Sequence, residues 1–247
     1  MKTGVSIVVP CYNEADTIPV LLDAIAGAFQ GLEQYDLEVI IVDDGSMDNT
    51  EAVLRDAQTR FGALRPISMA RNSGQSAALV AGMRAAHGEF ILTMDGDMQN
   101  DPADFPRALE LLQDYDCVCG YREKRQDSPL RLFSSRVANA VRNAILHDGI
   151  RDSGCGLKGF RRECVDHIVP FNGVHRFLAV FMRRGGFSIV EMPVRHHARR
   201  YGVSKYGLNN RLWRGIYDLA GVSWLRKRYV VPATLPFGKH TSGEPHA

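Results

Sequence analysis

Asp95, Gly96 and Asp97 place two carboxylates two residues apart, and Gln99 follows two residues later. In an extended turn, residues i and i+2 project to the same side, so both carboxylates and the Gln99 amide oxygen face one way. Hard oxygen donors of this kind suit Mg2+ or Mn2+. Mg2+ takes one or two protein carboxylates and completes its shell with phosphate oxygens and water. Glycine between the two aspartates lets backbone approach a diphosphate closely. The competing reading is an acidic turn whose carboxylates are merely solvated.

Three other polar clusters share one feature with this one, in that each follows a short run suited to a strand. They are Pro10-Cys11-Tyr12-Asn13-Glu14, Asp43-Asp44-Gly45-Ser46 and Arg71-Asn72-Ser73-Gly74. Apolar runs at 5–9, 37–42, 64–69 and 90–94 alternate with helix-spaced segments at 17–30, 49–60 and 74–86. A helix follows Pro102, which suits a first helical position, and a strand is predicted at 117–120. This alternation predicts a mostly parallel sheet covered on both faces, and ligands of such sheets bind at the carboxyl ends of strands. Beyond Gly120 the rhythm changes. A long amphipathic helix is predicted over 130–146, a strand at 157–160, a helix at 176–184, a strand at 188–192 and a final helix over 208–225.

Carboxylates at the ends of the first two strands, Glu14 and Asp44, can accept hydrogen bonds from ribose hydroxyls or base N–H groups. Tyr12 can offer a nucleoside its ring or hydroxyl, or pack in the core. Asp43 fits better as the residue that holds its turn. Ser73 and Gly74 read equally as a helix cap and as an anion-binding helix start. His196 and His197 are adjacent, so on a strand they would point to opposite faces and are read as loop residues, not a metal pair.

The net charge of +2 conceals a division. Up to Gly120 there are 7 Lys and Arg against 19 Asp and Glu; from Tyr121 onward there are 23 against 9. An acidic, metal-suited half thus precedes a basic half suited to anions or a membrane surface. No basic stripe interleaved with aromatics is present, which argues against nucleic acid. Five cysteines without paired spacing read as reduced thiols, and no segment approaches the length needed to span a bilayer.

The strings VVPCYNE (8–14), VDDGS (42–46), RNSGQSAALVAGM (71–83) and MDGDMQNDP (94–102) resemble those of family 2 glycosyltransferases. The branch resembled is that of dolichol-phosphate mannosyltransferase and the bacterial polyprenyl-phosphate glycosyltransferases. DSGCGLKGF (152–160) and RRYGVSKYG (199–207) extend the resemblance through most of the chain. It implies an α/β GT-A fold over residues 1–207, with a mostly parallel central sheet and helices on both faces. An amphipathic helix at 208–230, suited to a membrane interface, and a disordered tail at 231–247 would follow.

The implied activity is inverting transfer of a hexose from GDP-mannose or a UDP-hexose to a polyprenyl phosphate. The implied location is the cytoplasmic face of the membrane. The resemblance places Asp95, Asp97 and Gln99 around Mg2+ or Mn2+, and Asp97 and Asp152 at the reacting centre. Pro10, Tyr12, Glu14, Val42, Asp44, Asp95 and Gly96 would line the nucleotide-sugar pocket, joined by Arg122, Arg199 and Lys205. Arg136 and Ser204 would meet the acceptor phosphate. Relatives in this branch often carry transmembrane helices after the catalytic domain, so peripheral attachment, a separate membrane partner protein or an oligomer are expected here. Two alternatives keep the donor site. In one, the acceptor is a saccharide or other soluble hydroxyl, and Asp152 must then act as base. In the other, the chain is a non-catalytic nucleotide-sugar-binding scaffold.

Overall fold

The structure, a computed structural model, describes residues 2–123, 129–198, 208–228 and 230, and the side chains of these except 129–136 and 208–214. A seven-stranded sheet forms its centre. The strands are β1 (Thr3–Cys11), β2 (Tyr35–Asp43), β3 (Leu64–Ser68), β4 (Phe90–Thr93), β5 (Cys117–Arg122), β6 (Lys158–Arg161) and β7 (Ile189–Val194). Their spatial order is β3-β2-β1-β4-β6-β5-β7. The helices are α1 (Ile18–Ala28), α2 (Thr50–Arg60), α3 (Gln75–Ala85), α4 (Phe105–Leu111), α5 (Pro129–Leu146), α6 (Leu178–Arg184) and α7 (Leu208–Arg228).

β1 is a continuous apolar run because both of its faces are covered. Val5, Ile7 and Val9 enter the layer that contains Ile18, Leu21, Leu54, Phe105 and Leu109. Val8 enters the opposite layer with Met83, Ile91, Phe160 and Phe181. On that second face α3 lies directly on the strands. A Cβ at Gly82 would sit 2.4 Å from Val8 Cγ1 and 2.9 Å from Val42 Cγ2, so only glycine permits this approach. Gly82→Ala must push the helix away, and we expect a loss of about 1–3 kcal/mol, read as a lower urea midpoint with unchanged slope.

Two features of the topology decide where the chemistry sits. Strand order reverses at β1, which pairs in parallel with β2 on one side and β4 on the other. This opens the switch-point crevice at their carboxyl ends. β6, by contrast, runs antiparallel to both neighbours, with Lys158 opposite Thr93 and Cys119. The loop that enters β6 therefore lies at the same edge as the ends of β4 and β5. β7 is parallel to β5 and ends beside it, Val194 opposite Arg122.

Candidate active site

The β1 and β2 ends are stitched together before any ligand is considered. Asp43 Oδ1 accepts from the Ser46 N–H at 3.0 Å and from the Ser46 hydroxyl at 2.5 Å, so Asp43 holds its turn, as expected. Asn13, at φ 54°, donates its N–H to Ser46 Oγ and accepts from the Met47 N–H, both at 2.8 Å. Glu14 N–H donates to Thr50 Oγ1 at 3.1 Å, and the Glu14 carboxylate accepts from the Thr17 hydroxyl at 3.0 Å. Asp44 is buried, and its two oxygens accept from Ser73 N–H at 2.7 Å and Gly74 N–H at 2.8 Å. Its carboxylate thereby fixes the segment that starts α3.

Residue Gln75, the first of α3, brings the next loop into register. Its amide donates to Asp95 Oδ1 at 2.7 Å. On the other side of that carboxylate lies Gly156, where a Cβ would fall 2.4 Å from Asp95 Oδ2. Asn100 Oδ1 accepts from the Asp95 N–H at 3.2 Å. Asp97 is buried, and its Oδ1 accepts from the Gln99 N–H at 3.2 Å across Met98, which adopts φ 59°. A left-handed methionine costs roughly 1 kcal/mol, so this turn is held by its surroundings. At Gly96 a Cβ would meet Pro10 O at 3.2 Å, so the glycine also eases packing against β1.

The 152–156 segment connects this loop to a second charged group. Asp152 Oδ2 accepts from Arg122 Nε at 2.6 Å, and Oδ1 accepts from Arg122 Nη2 at 2.8 Å. The pair is largely buried, with side chains 16% and 9% exposed. From the far side, the chain after β7 pairs with the Asp95–Gln99 turn. His196 bridges Asn100, His197 N–H donates to Gln99 O at 2.9 Å, and His197 Nε2 meets Asp101 Oδ2 at 3.0 Å. The segment carrying Arg199, Ser204 and Lys205 departs from here, but these three residues lie outside the described ones, as does the side chain of Arg136.

Pro10, Tyr12, Glu14, Asp44, Asp95, Gly96, Asp97, Gln99, Arg122 and Asp152 thus all sit at the carboxyl edge of the sheet. The Val42 side chain does not reach it, being buried against α3. Three supporting residues were not assigned a role from the sequence: Gln75, Asn100 and Gly156. Gln75 follows the Arg71–Gly74 cluster directly, and that adjacency was the available signal.

Behind α3, Ser76 Oγ accepts from Gly173 N–H at 2.9 Å and pairs with His175 Nδ1 at 2.7 Å. Burial, reinforced by Arg176 and Lys158, holds the His175 imidazole down at about 3, against about 6.5 in an unfolded chain. Below pH 6.5 the unfolded chain gains a proton that the folded one refuses. Stability is therefore expected to fall by about 1.4 kcal/mol per pH unit from about 6.5 toward 3, with no loss from this group above pH 7. Urea unfolding at stepped pH should show this slope in the native protein and lose it in His175→Asn, whatever the variant's absolute stability. An equal slope in both would assign the acid loss to other groups. The five cysteines are all buried and free; burial raises Cys155 to about 11, which fits packing rather than nucleophilic chemistry.

An open α/β sheet with acidic, oxygen-rich loops at its switch point belongs to the class of folds that bind ligands, nucleotides among them, at that crevice. Residues 6–169 match the model of Glycosyl transferase family 2, and the chain belongs to that family. It is 38% identical over 228 residues to dodecaprenyl-phosphate galacturonate synthase of Rhizobium johnstonii, covering 90% of this chain and 67% of that protein. It is 36% identical over 217 residues to undecaprenyl-phosphate 4-deoxy-4-formamido-L-arabinose transferase of Sodalis glossinidius, covering 87% and 66%. The chain thus spans about two thirds of the length of these relatives. Glucosyl-3-phosphoglycerate synthase from Mycobacterium tuberculosis, solved with phosphoglyceric acid, superimposes with a TM-score of 0.67 at 22% identity, over 91% of this chain and 80% of that one. That likeness establishes the GT-A fold.

Proposed function

We propose that this glycosyltransferase moves a sugar from a nucleotide diphosphate to a polyprenyl phosphate, with inversion, on the cytoplasmic face of a membrane. The observation that carries the reading is the 152–156 segment, which lies against the Asp95 carboxylate at Gly156 and carries the Arg122–Asp152 pair at its other end. The relatives named for dodecaprenyl and undecaprenyl phosphate support the acceptor class.

The donor set fits a divalent cation. Asp95 and Asp97 supply hard oxygens, Gln99 an amide oxygen, and the Asp95 carboxylate rests in a cradle that a Cβ at position 156 would fill. Among the described residues no three His, Cys, Asp or Glu side chains group to hold an ion. That accords with Mg2+ or Mn2+ relying on donor phosphates for part of its shell. When bound, the ion would neutralise charge developing on the departing nucleotide.

The chain's own residues do the rest. Tyr12, Glu14 and the adjoining backbone hold the nucleoside end. Asp95 and Asp97 orient the diphosphate end. A phosphate monoester, with its second ionisation near pH 6, needs no strong base to attack. Asp152 has both oxygens engaged by Arg122 and acts as an orienting group, aiming the guanidinium at a phosphate. Arg136, Arg199, Ser204 and Lys205 complete the phosphate sites in this reading.

Gln75 holds Asp95 in its binding rotamer. Gln75→Ala is expected to weaken Mn2+ binding roughly tenfold or more, read by electron paramagnetic resonance of free Mn2+. Unchanged affinity would reduce Gln75 to a helix residue.

The function is tested with purified protein, undecaprenyl phosphate in detergent, Mg2+ or Mn2+, and labelled GDP-mannose and UDP-hexoses. Nucleotide-linked galacturonate and 4-deoxy-4-formamido-L-arabinose complete the panel. Label entering the organic phase identifies the sugar. Label passing only to water-soluble hydroxyl acceptors would replace the acceptor, and donor binding without any turnover would leave a scaffold.

A further inference from the structure

Lys158 is a buried cation to which the transfer chemistry above gives no task. It stands at the start of β6 and is 5% exposed. Its ammonium donates to the Cys155 carbonyl, and among the described residues no carboxylate pairs with it. Asp148 and Glu191, the carboxylates felt by the neighbouring Cys119 thiol, have arginines of their own. Arg142 engages Asp148 at 2.9 Å, and Arg151 engages Glu191 at 3.3 Å. A buried charge without a partner is costly, so this one calls for a reason beyond packing.

Strand register places that charge beneath the cation site. Lys158 lies opposite Thr93, and the same antiparallel register carried two residues further sets Gly156 opposite Asp95. A Cβ at Gly156 would fall 2.4 Å from Asp95 Oδ2, and the Thr93 hydroxyl donates to Gly156 O at 2.8 Å. Residues two apart share a face of a sheet, so the Lys158 and Asp95 side chains lie on the same face, the one that α3 covers. The carbonyl that Lys158 grips belongs to the peptide between Cys155 and Gly156. A single peptide unit therefore separates the ammonium from the residue against which the Asp95 carboxylate rests. From this place its charge also joins burial and Arg176 in holding His175 down, so its field reaches across the layer.

We propose that Lys158 tunes the site from beneath: its fixed charge weakens the hold of Asp95 and Asp97 on a divalent cation alone and favours a diphosphate arriving beside it. The cation then enters with the donor and leaves with the nucleotide instead of remaining on the protein. Like charge repels the ion, opposite charge draws the phosphates, and burial leaves both effects weakly screened. Lys158 touches no reacting atom and acts through the Asp95 carboxylate and the field in the crevice. The inference rests on the cation and nucleotide-diphosphate readings above and is independent of the acceptor.

The test is Lys158→Met, which keeps the length of the side chain and removes its charge, beside Lys158→Gln, which also keeps an N–H donor. Mn2+ binding to the full chain without nucleotide is read by electron paramagnetic resonance of free Mn2+. Binding of UDP and of GDP in EDTA is read by calorimetry, with melting recorded for each protein. Both variants should bind Mn2+ alone roughly tenfold more tightly, and the nucleotide that the native protein selects roughly tenfold more weakly. Opposite signs identify a charge, because a distorted site would hold both ligands less well. If one variant fails to melt cooperatively, the other carries the comparison.

Mn2+ affinity that stays level or falls in the variants overturns the inference, as does a selected nucleotide bound as tightly as before. Native protein that binds neither UDP nor GDP, even with Mn2+, overturns the nucleotide reading alone, and the Mn2+ shift still decides Lys158. Native protein and variants that all ignore Mn2+ overturn the cation reading, and the inference with it.

Discussion

Asp97→Asn is expected to lower sugar transfer about a thousandfold without unfolding the protein. Asparagine keeps the volume and an oxygen able to accept the Gln99 N–H, which Asp97 Oδ1 does at 3.2 Å. It removes only the charge and the hard anionic donor, in a turn already committed to that side chain by Met98 at φ 59°. Losing one preorganised charge contact to the reacting phosphates corresponds to about 4 kcal/mol of barrier. The measurement is single-turnover transfer at saturating donor, with melting temperature and Mn2+ affinity recorded beside it. A fall in rate and in Mn2+ affinity with native melting is the expected result. A loss under tenfold would remove Asp97 from the cation's shell.

The second large effect is expected at Asp152, and it divides two roles. Asp152→Asn cannot balance the Arg122 guanidinium, which Asp152 now grips with both oxygens at 2.6 and 2.8 Å. Breaking a buried pair leaves an uncompensated charge, at a cost of about 3–5 kcal/mol. With side chains 16% and 9% exposed, the lower end of that range applies. Transfer should fall at least about a hundredfold, because Arg122 loses its aim. The pH profile is the decisive readout. If Asp152 orients, the residual activity keeps the same inflection near pH 6 set by the acceptor phosphate. If it is a base, the native profile carries a carboxylate inflection that the variant lacks. An Arg122→Met/Asp152→Leu double variant should recover stability but not activity, separating the structural part of the pair from the chemical part.

Much of the site was legible because its parts are local. A strand ending in Asp43-Asp44, or a turn reading Asp95-Gly96-Asp97, needs only its own neighbours to be recognised. Parallel strand-helix alternation puts such ends at one edge whatever the details of packing. The strand at 157–160 was visible too, but not its direction. Antiparallel and parallel strands share the same side-chain alternation, and only the direction of β6 carries Asp152 to the edge where Arg122 ends β5.

Other features depended on partners far along the chain. Arg122 and Asp152 could be named separately, yet nothing local joins residues 30 positions apart. Gln75 looked like a helix start until Asp95 was found within 2.7 Å. Gly96 has a second task that only the fold shows, since a Cβ there would meet Pro10 O at 3.2 Å.

α5 makes the division plainest. Its periodicity announces an amphipathic helix, since spacing alone places Val137, Val141 and Ile145 on one side and Asn139, Arg142 and Asn143 on the other. By itself the sequence determined the mostly parallel strand-helix alternation, the acidic loops at its edge and the existence of two-faced helices. Only the tertiary structure decided which face turns inward, because that depends on whether Asp148 and the Ile150 carbonyl are there to satisfy the buried Arg142.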